Sequence, residues 1–194
     1  MVQRFTLTTY LFFIYSLLFS QIGGSISLKV LGGGNLSYAF NSISKYKMGI
    51  IDPSRTTVGI SVDDNADPAY LGWKLEIEFD DVDVDGFLTG SGGNKLSFST
   101  VEVSTNLIAC AGCTELAPGP PNLPLTNVAQ ILVQGGDGPG GADDIPPTLI
   151  FTTDQIVISY YIGTNPCPCP PGNALLGQPA DFYTDDIILT LTMY

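Results

Sequence analysis

The sequence predicts an all-β protein, an antiparallel immunoglobulin-like β-sandwich with Greek-key connections. Three observations lead there. Past residue 24, apolar side chains recur at every second position rather than every third or fourth, the spacing of half-buried strands. Clusters of Gly, Pro, Asn and Asp separate these runs as turns. No segment beyond the first two dozen residues carries the apolar stripe of an amphipathic helix. About seven to nine short strands joined by turns, without helices between them, define the sandwich class.

The chain opens MVQRFTLTTYLFFIYSLLFSQIGGS, with one cation at Arg4, an apolar run from Leu7 to Phe19, and small residues at Ser20, Gly23, Gly24 and Ser25. This is the layout of a secretory signal peptide, assigned to residues 1–24, with residues 25–194 as a single sandwich domain. The competing expectation is an uncleaved anchor, since a spanning helix takes roughly 20 apolar residues. The flanks and small residues favour cleavage, after which no stable membrane span is expected.

In SISLKV, Ile26, Leu28 and Val30 alternate with Ser27 and Lys29, and in NLSYAFN, Leu36, Tyr38 and Phe40 alternate with small or polar residues. The glycines Gly32, Gly33 and Gly34 separate the two runs as a hinge or turn. The sequon Asn35–Leu36–Ser37 falls inside the second expected strand. TTVGISV places Val58, Ile60 and Val62 on one face. LGWKLEIEFD places Trp73, Leu75, Ile77 and Phe79 on one face and Lys74, Glu76 and Glu78 on the other, so Trp73 is expected in the core rather than stacked on a sugar. After Phe79 the apolar phase slips to Val82 and Val84, which predicts a bulge or loop near Asp80–Asp81.

Asp81, Asp83, Asp85 and Gly86 match the opening of an EF-hand calcium loop, but the twelfth position, where a bidentate Glu belongs, is Gly92. The favoured expectation is a short edge strand with Val82 and Val84 on its apolar face and the three carboxylates solvated. A weaker, irregular calcium site is the alternative, and calcium is the one cofactor the residues suggest. Further along, KLSFSTVEVST reads as a strand pair or bulged strand, with Leu96 and Phe98 on one parity and Val101 and Val103 on the other. The proline-rich TELAPGPPNLPL cannot occupy a central strand position. NVAQILVQG resumes strand character, and QIVISYYIG holds Ile156, Ile158 and Tyr160 in phase. In the last run, Ile187, Leu189, Leu191 and Met193 alternate with Ile188, Thr190, Thr192 and Tyr194.

A formal charge of −12 on only seven basic residues argues against nucleic acid, whose phosphates require a positive surface. The absence of His removes Ser–His–Asp and Cys–His catalysis outright. Cys110 and Cys113 form CAGC, and Cys167 and Cys169 form CPCP. CxC is a poor half of a zinc site, and no βαβ unit supports a redox role for CxxC. In an oxidising compartment, two disulfides linking the two loops are expected, with three pairings open.

Gln178–Tyr194, QPADFYTDDIILTLTMY, resembles the last strand of spore-coat-U-like and chaperone–usher pilin subunits: a Pro/Gly turn, an aromatic, then alternating apolar and Thr residues ending near a Tyr. NLSYAFNSISKYKMGI is similar to the first-strand region of secreted β-sandwich surface proteins. In the pilin class the sandwich lacks a strand, and a neighbour's N-terminal segment fills the gap. The resemblance implies that SISLKV is such a donor, inserting Ile26, Leu28 and Val30 as alternate side chains. It implies that Ile187, Leu189, Leu191 and Met193 form the strand with which a periplasmic chaperone or adjoining subunit pairs. The alternative is that SISLKV is the first strand of a self-complete sandwich.

These observations lead to a secreted, non-enzymatic structural or adhesive surface subunit, self-associating by strand donation. The second expectation is a monomeric carbohydrate- or ligand-binding module using Tyr70, Phe87 or Tyr183, assisted by calcium. Glycoside hydrolysis by paired carboxylates ranks third, because the acidic residues fall in turns where solvation accounts for them.

Overall fold

Alternation of apolar and polar residues becomes antiparallel sheet throughout. The computed structural model describes residues 25–35, 38, 42–63, 72–81, 84–110, 113–116, 122–135, 154–164, 175, 181–183 and 185–194. Outside these lie the leader, Tyr70, Asp83, Cys167, Cys169 and all of the expected NLSYAFN strand except Asn35 and Tyr38. The strands are β1 (Ser25–Gly32), β2 (Ile50–Asp63), β3 (Trp73–Phe79), β4 (Phe87–Thr89), β5 (Lys95–Ser97), β6 (Val101–Ala109), β7 (Cys113–Glu115), β8 (Leu123–Pro124), β9 (Gln130–Gly135), β10 (Gln155–Ile162) and β11 (Ile187–Met193). A five-stranded sheet runs in the order β1-β2-β10-β6-β8, a four-stranded sheet in the order β11-β3-β9-β7, and β4 and β5 form a separate hairpin.

The fold is therefore all-β, with every strand pair antiparallel. Val58, Ile60 and Val62 from β2 and Trp73, Leu75 and Ile77 from β3 are fully buried in one apolar cluster that also takes in Leu88 and Leu96 of the hairpin. Burying a side chain of this size is worth about 1.5–3 kcal/mol, so the alternating faces of β2 and β3 supply much of the force that brings the sheets together. Phe79 and Phe98 stack with ring centroids 4.5 Å apart, tying the end of β3 to the single 3₁₀ turn Phe98–Thr100 that follows β5. That turn is the phase change expected within KLSFSTVEVST: it lets Leu96 and Phe98 on one side of it, and Val101 and Val103 on the other, all face the core.

Three features depart from the sequence-based picture. A short helix, α1 (Ile43–Met48), precedes β2, started by Ser42, whose hydroxyl accepts a hydrogen bond from the Lys45 N–H at 3.3 Å. β2 begins at Ile50, six residues before the expected strand TTVGISV, and carries Pro53 through a bulge: Ile158 pairs with Thr56 but Tyr160 pairs with Asp52. Pro53 has no N–H to give the ladder, and the bulge is where such a residue is tolerated. Ser54 takes a positive φ of 55° there, its N–H held by the Ser159 hydroxyl at 2.9 Å.

The third departure is the aspartate run. Residues 84–86 form bends, not an edge strand, and Val84 is 77% exposed at a φ of 55°. The Asp81 carboxylate organises this loop, accepting the N–H groups of Gly86 at 2.8 Å and Asp85 at 3.2 Å. An acceptor of that kind turns the chain before it can extend.

Candidate assembly edge

β1 and β11 each form the outer edge of a sheet, and they lie on the same side of the molecule with Cα atoms approaching within 8 Å. In β1 the register places Ile26 opposite Val62, Leu28 opposite Ile60 and Val30 opposite Val58, so the alternate residues singled out in SISLKV meet the three core residues of β2. Ile26 and Leu28 are half-buried against that core, whereas Val30 is 46% exposed at the rim. β11 does the same for the other sheet: Ile187, Leu189, Leu191 and Met193 stand opposite Phe79, Ile77, Leu75 and Trp73 and are half-buried. Mutual main-chain bonds between Tyr194 and Gly72 extend this ladder to the last residue.

The two strands expected to mediate assembly are thus brought close together, each with a ladder partner on one side among the described residues. Among the described residues no ladder joins them. Hydrogen-bonded strands lie about 4.8 Å apart, so a strand entering between two others needs a gap of about 9.6 Å. The approach of β1 to β11 is closer than that. A foreign strand reaches this edge of the core only by taking the place of β1 or β11.

The hairpin β4–β5 and the segment before β11 are tied by one carboxylate that sequence reading missed. Asp181 accepts hydrogen bonds from the N–H of Phe182 at 2.8 Å, the Ser91 hydroxyl at 2.9 Å, the Gly92 N–H at 2.9 Å and the Asn94 amide at 3.0 Å. Gly90 is required there, because a Cβ would lie 2.3 Å from Asp181 Oδ2. The Phe182 N–H, against a smaller effect of burial, and then the hairpin donors hold the Asp181 carboxyl at about 2. The only signal in the sequence was the donor-rich turn GSGGN, which needs an acceptor from elsewhere. Tyr183, expected as a loop aromatic for a ligand, instead forms a β-bridge with Gly90 and packs against the core. Phe87 lies in β4, partly exposed.

At the calcium candidate, Asp81 and Asp85 have protein donors, and Asp83 lies outside the described residues. Burial pushes the Asp81 carboxyl up, but the N–H groups of Gly86 and Asp85 and the Asn127 amide, at 2.7 Å, outweigh it and hold the group below its ordinary range. Asp85 accepts the Phe87 N–H at 2.9 Å and pairs with Lys95. Among the described residues no group of three or more His, Cys, Asp or Glu is arranged to hold a metal ion.

Cys110 and Cys113 are bonded to each other, with Cα atoms 5.5 Å apart. For this pair the expected link between the CAGC and CPCP loops is corrected to a bridge within one loop, where the chain passes from β6 of one sheet to β7 of the other. The loop returns the two Cα atoms to bonding range without help from a distant segment. No described helix is long and apolar enough to cross a membrane. No protein-family model matches the chain, and no curated protein matches it.

Proposed function

We propose that this protein is a secreted, non-enzymatic structural or adhesive subunit of a cell surface, an immunoglobulin-like sandwich whose copies join by exchanging β1. The observation that carries this reading is the placement of β1: an edge strand whose Ile26 and Leu28 cover core residues of β2, ending in the first of three consecutive glycines and flanked by β11 too closely for a second strand to be added between them. Exchange reproduces the same contacts between copies that β1 makes within one, so the balance between closed and joined forms depends on concentration and on the hinge rather than on new chemistry. The side chains supply specificity and the main chain supplies affinity, as in other strand-addition interfaces. The resemblance of the C-terminal strand to pilin subunits agrees with this use of β11 as the neighbour of a donated strand. In such a system a periplasmic chaperone would protect the same groove during export.

The test is deletion of Ser25–Val30 from the mature chain. Removing β1 uncovers Val58, Ile60 and Val62 along one side, a loss on the order of 3 kcal/mol. The expected result is loss of multimers at high protein concentration and restoration of thermal stability by an added SISLKV peptide. A full-length mature protein that stays monomeric at millimolar concentration, with a deletion variant equally stable and indifferent to the peptide, would refute it.

A further inference from the structure

The three glycines at the end of β1, Gly32 to Gly34, look in the sequence like a free hinge, yet the structure fixes Gly33 as a corner. Gly33 adopts a φ of 70°, and a Cβ there would lie 1.8 Å from the carbonyl oxygen of Arg55, so the chain is pressed directly onto β2 where β1 ends. The Gly33 carbonyl accepts the Thr56 hydroxyl at 2.9 Å. Thr56 Oγ1 also lies 3.2 Å from the Tyr160 hydroxyl. A threonine hydroxyl has one proton, and it is committed to Gly33, so the Tyr160 O–H donates to Thr56. The result is a directed relay from Tyr160 in β10, through Thr56 in β2, to the main chain leaving β1. Thr56 and Tyr160 are both only 3% exposed, which shields the relay from competing water. One residue further out, Arg55 Nη2 donates to the Asn35 carbonyl at 3.3 Å.

We infer that this corner is a latch: the hydroxyl relay of Tyr160 and Thr56 onto Gly33, backed by Arg55 on Asn35, holds β1 in its own sheet and sets how readily the strand passes to a second copy of the chain. The inference rests on the assembly reading above and adds its control point. The ladder between β1 and β2 ends where the relay begins, at Gly32 opposite Thr57, so opening of the strand from its C-terminal end has to break the relay first. In an exchanged pair Gly33 must leave its left-handed corner and extend. The relay opposes that change and the glycines permit it.

Hydrogen exchange of the β1 amides, measured by mass spectrometry on the mature protein, separates the latch from the assembly reading. Thr56→Val removes the relay and keeps the shape. It is expected to raise exchange in residues 25–32 about tenfold over wild type, with β3 and β9 unchanged. Thr56→Ser restores wild-type protection. Tyr160→Phe removes the donor to Thr56 but leaves the Thr56 bond to Gly33, and is expected to raise β1 exchange by about threefold, between wild type and Thr56→Val. Sizing of the same variants at high concentration is expected to show more exchanged multimers for Thr56→Val. Selective opening of β1 without any multimer establishes the latch and overturns the assembly reading instead. Unchanged β1 exchange in Thr56→Val, or an equal rise in every strand, overturns the latch. Should Thr56→Val fail to fold, Arg55→Gln on an exposed side chain takes its place, and β1 exchange equal to wild type in that variant overturns it.

Discussion

The seat of Trp73 gives the most direct check on the strand pairing within the four-stranded sheet. Trp73 is 0% exposed, pairs with Gly135 across β3 and β9, and stands opposite Met193 of β11. Its Nε1–H has no hydrogen-bond partner among the described residues, so packing alone positions the indole. A Cβ on Gly135 would lie 2.5 Å from Nε1 and 2.6 Å from Cε2 of that ring. Neither atom is the free end of a flexible chain, so Gly135→Ala must shift the indole or part the two strands. Overpacking of this kind costs about 1–3 kcal/mol. For a chain of this size a loss of about 2 kcal/mol lowers Tm by about 4–8 °C. Trp73 is the sole tryptophan, so its fluorescence follows both the unfolding midpoint and any wetting of the ring in the folded state. Gly32→Ala, where a Cβ meets nothing within 4 Å, is the control and is expected to leave Tm nearly unchanged. A Gly135→Ala protein with wild-type Tm and emission would refute the assigned pairing of Trp73 with Gly135 and the register between β3 and β9.

Asp181 has a folded pKa of about 2 against an ordinary 3.8, so its contribution is fully present above pH 3.8 and is lost as pH falls through about 2. Asp181→Asn is expected to lower stability at neutral pH and to flatten the acid limb in that window; identical acid denaturation curves for the two proteins would contradict the anchor. Asp81→Ala leaves the Gly86 and Asp85 N–H groups and the Asn127 amide without their acceptor, and is expected to speed amide exchange across residues 84–87 while sparing β1, as mass spectrometry would show. Peptide mapping of the non-reduced mature protein is expected to recover Cys110 and Cys113 bonded in one fragment; a fragment joining Cys110 to Cys167 or Cys169 would contradict the local bridge.

Strands that obey a period of two were legible because a one-residue slip would turn every side chain to the wrong face. That is why Trp73, Leu75 and Ile77, and Val58, Ile60 and Val62, were assignable from spacing alone and are buried as expected. Spacing did not mark the edges: Ile26 and Leu28, and Ile187, Leu189, Leu191 and Met193, alternate like core strands but end half-buried, since an edge strand has a partner on one side only. What spacing could not show is where backbone donors find acceptors. α1 rests on one serine cap, too small a signal against the strand-like residues around it. The aspartate run alternates like a strand, but Asp81 reaches its own downstream N–H groups and bends the chain.

The corner after β1 and the anchor before β11 are invisible in the sequence for a common reason. Gly33 meets Thr56 across 23 positions, and Asp181 meets Gly92 across 89, so each depends on a contact that exists only after the sheets have formed. Local sequence specifies which strands can lie at an edge; long-range polar contacts specify how firmly each is held there. Among the described residues, β11 is held at both ends, by Asp181 on the hairpin and by Tyr194 on Gly72, whereas the polar ties beyond the β1 ladder lie at its C-terminal corner. Of the two edge strands, β1 is therefore the less firmly held among the described residues, and under the proposed assembly it is β1 that would be passed on while β11 stays in place.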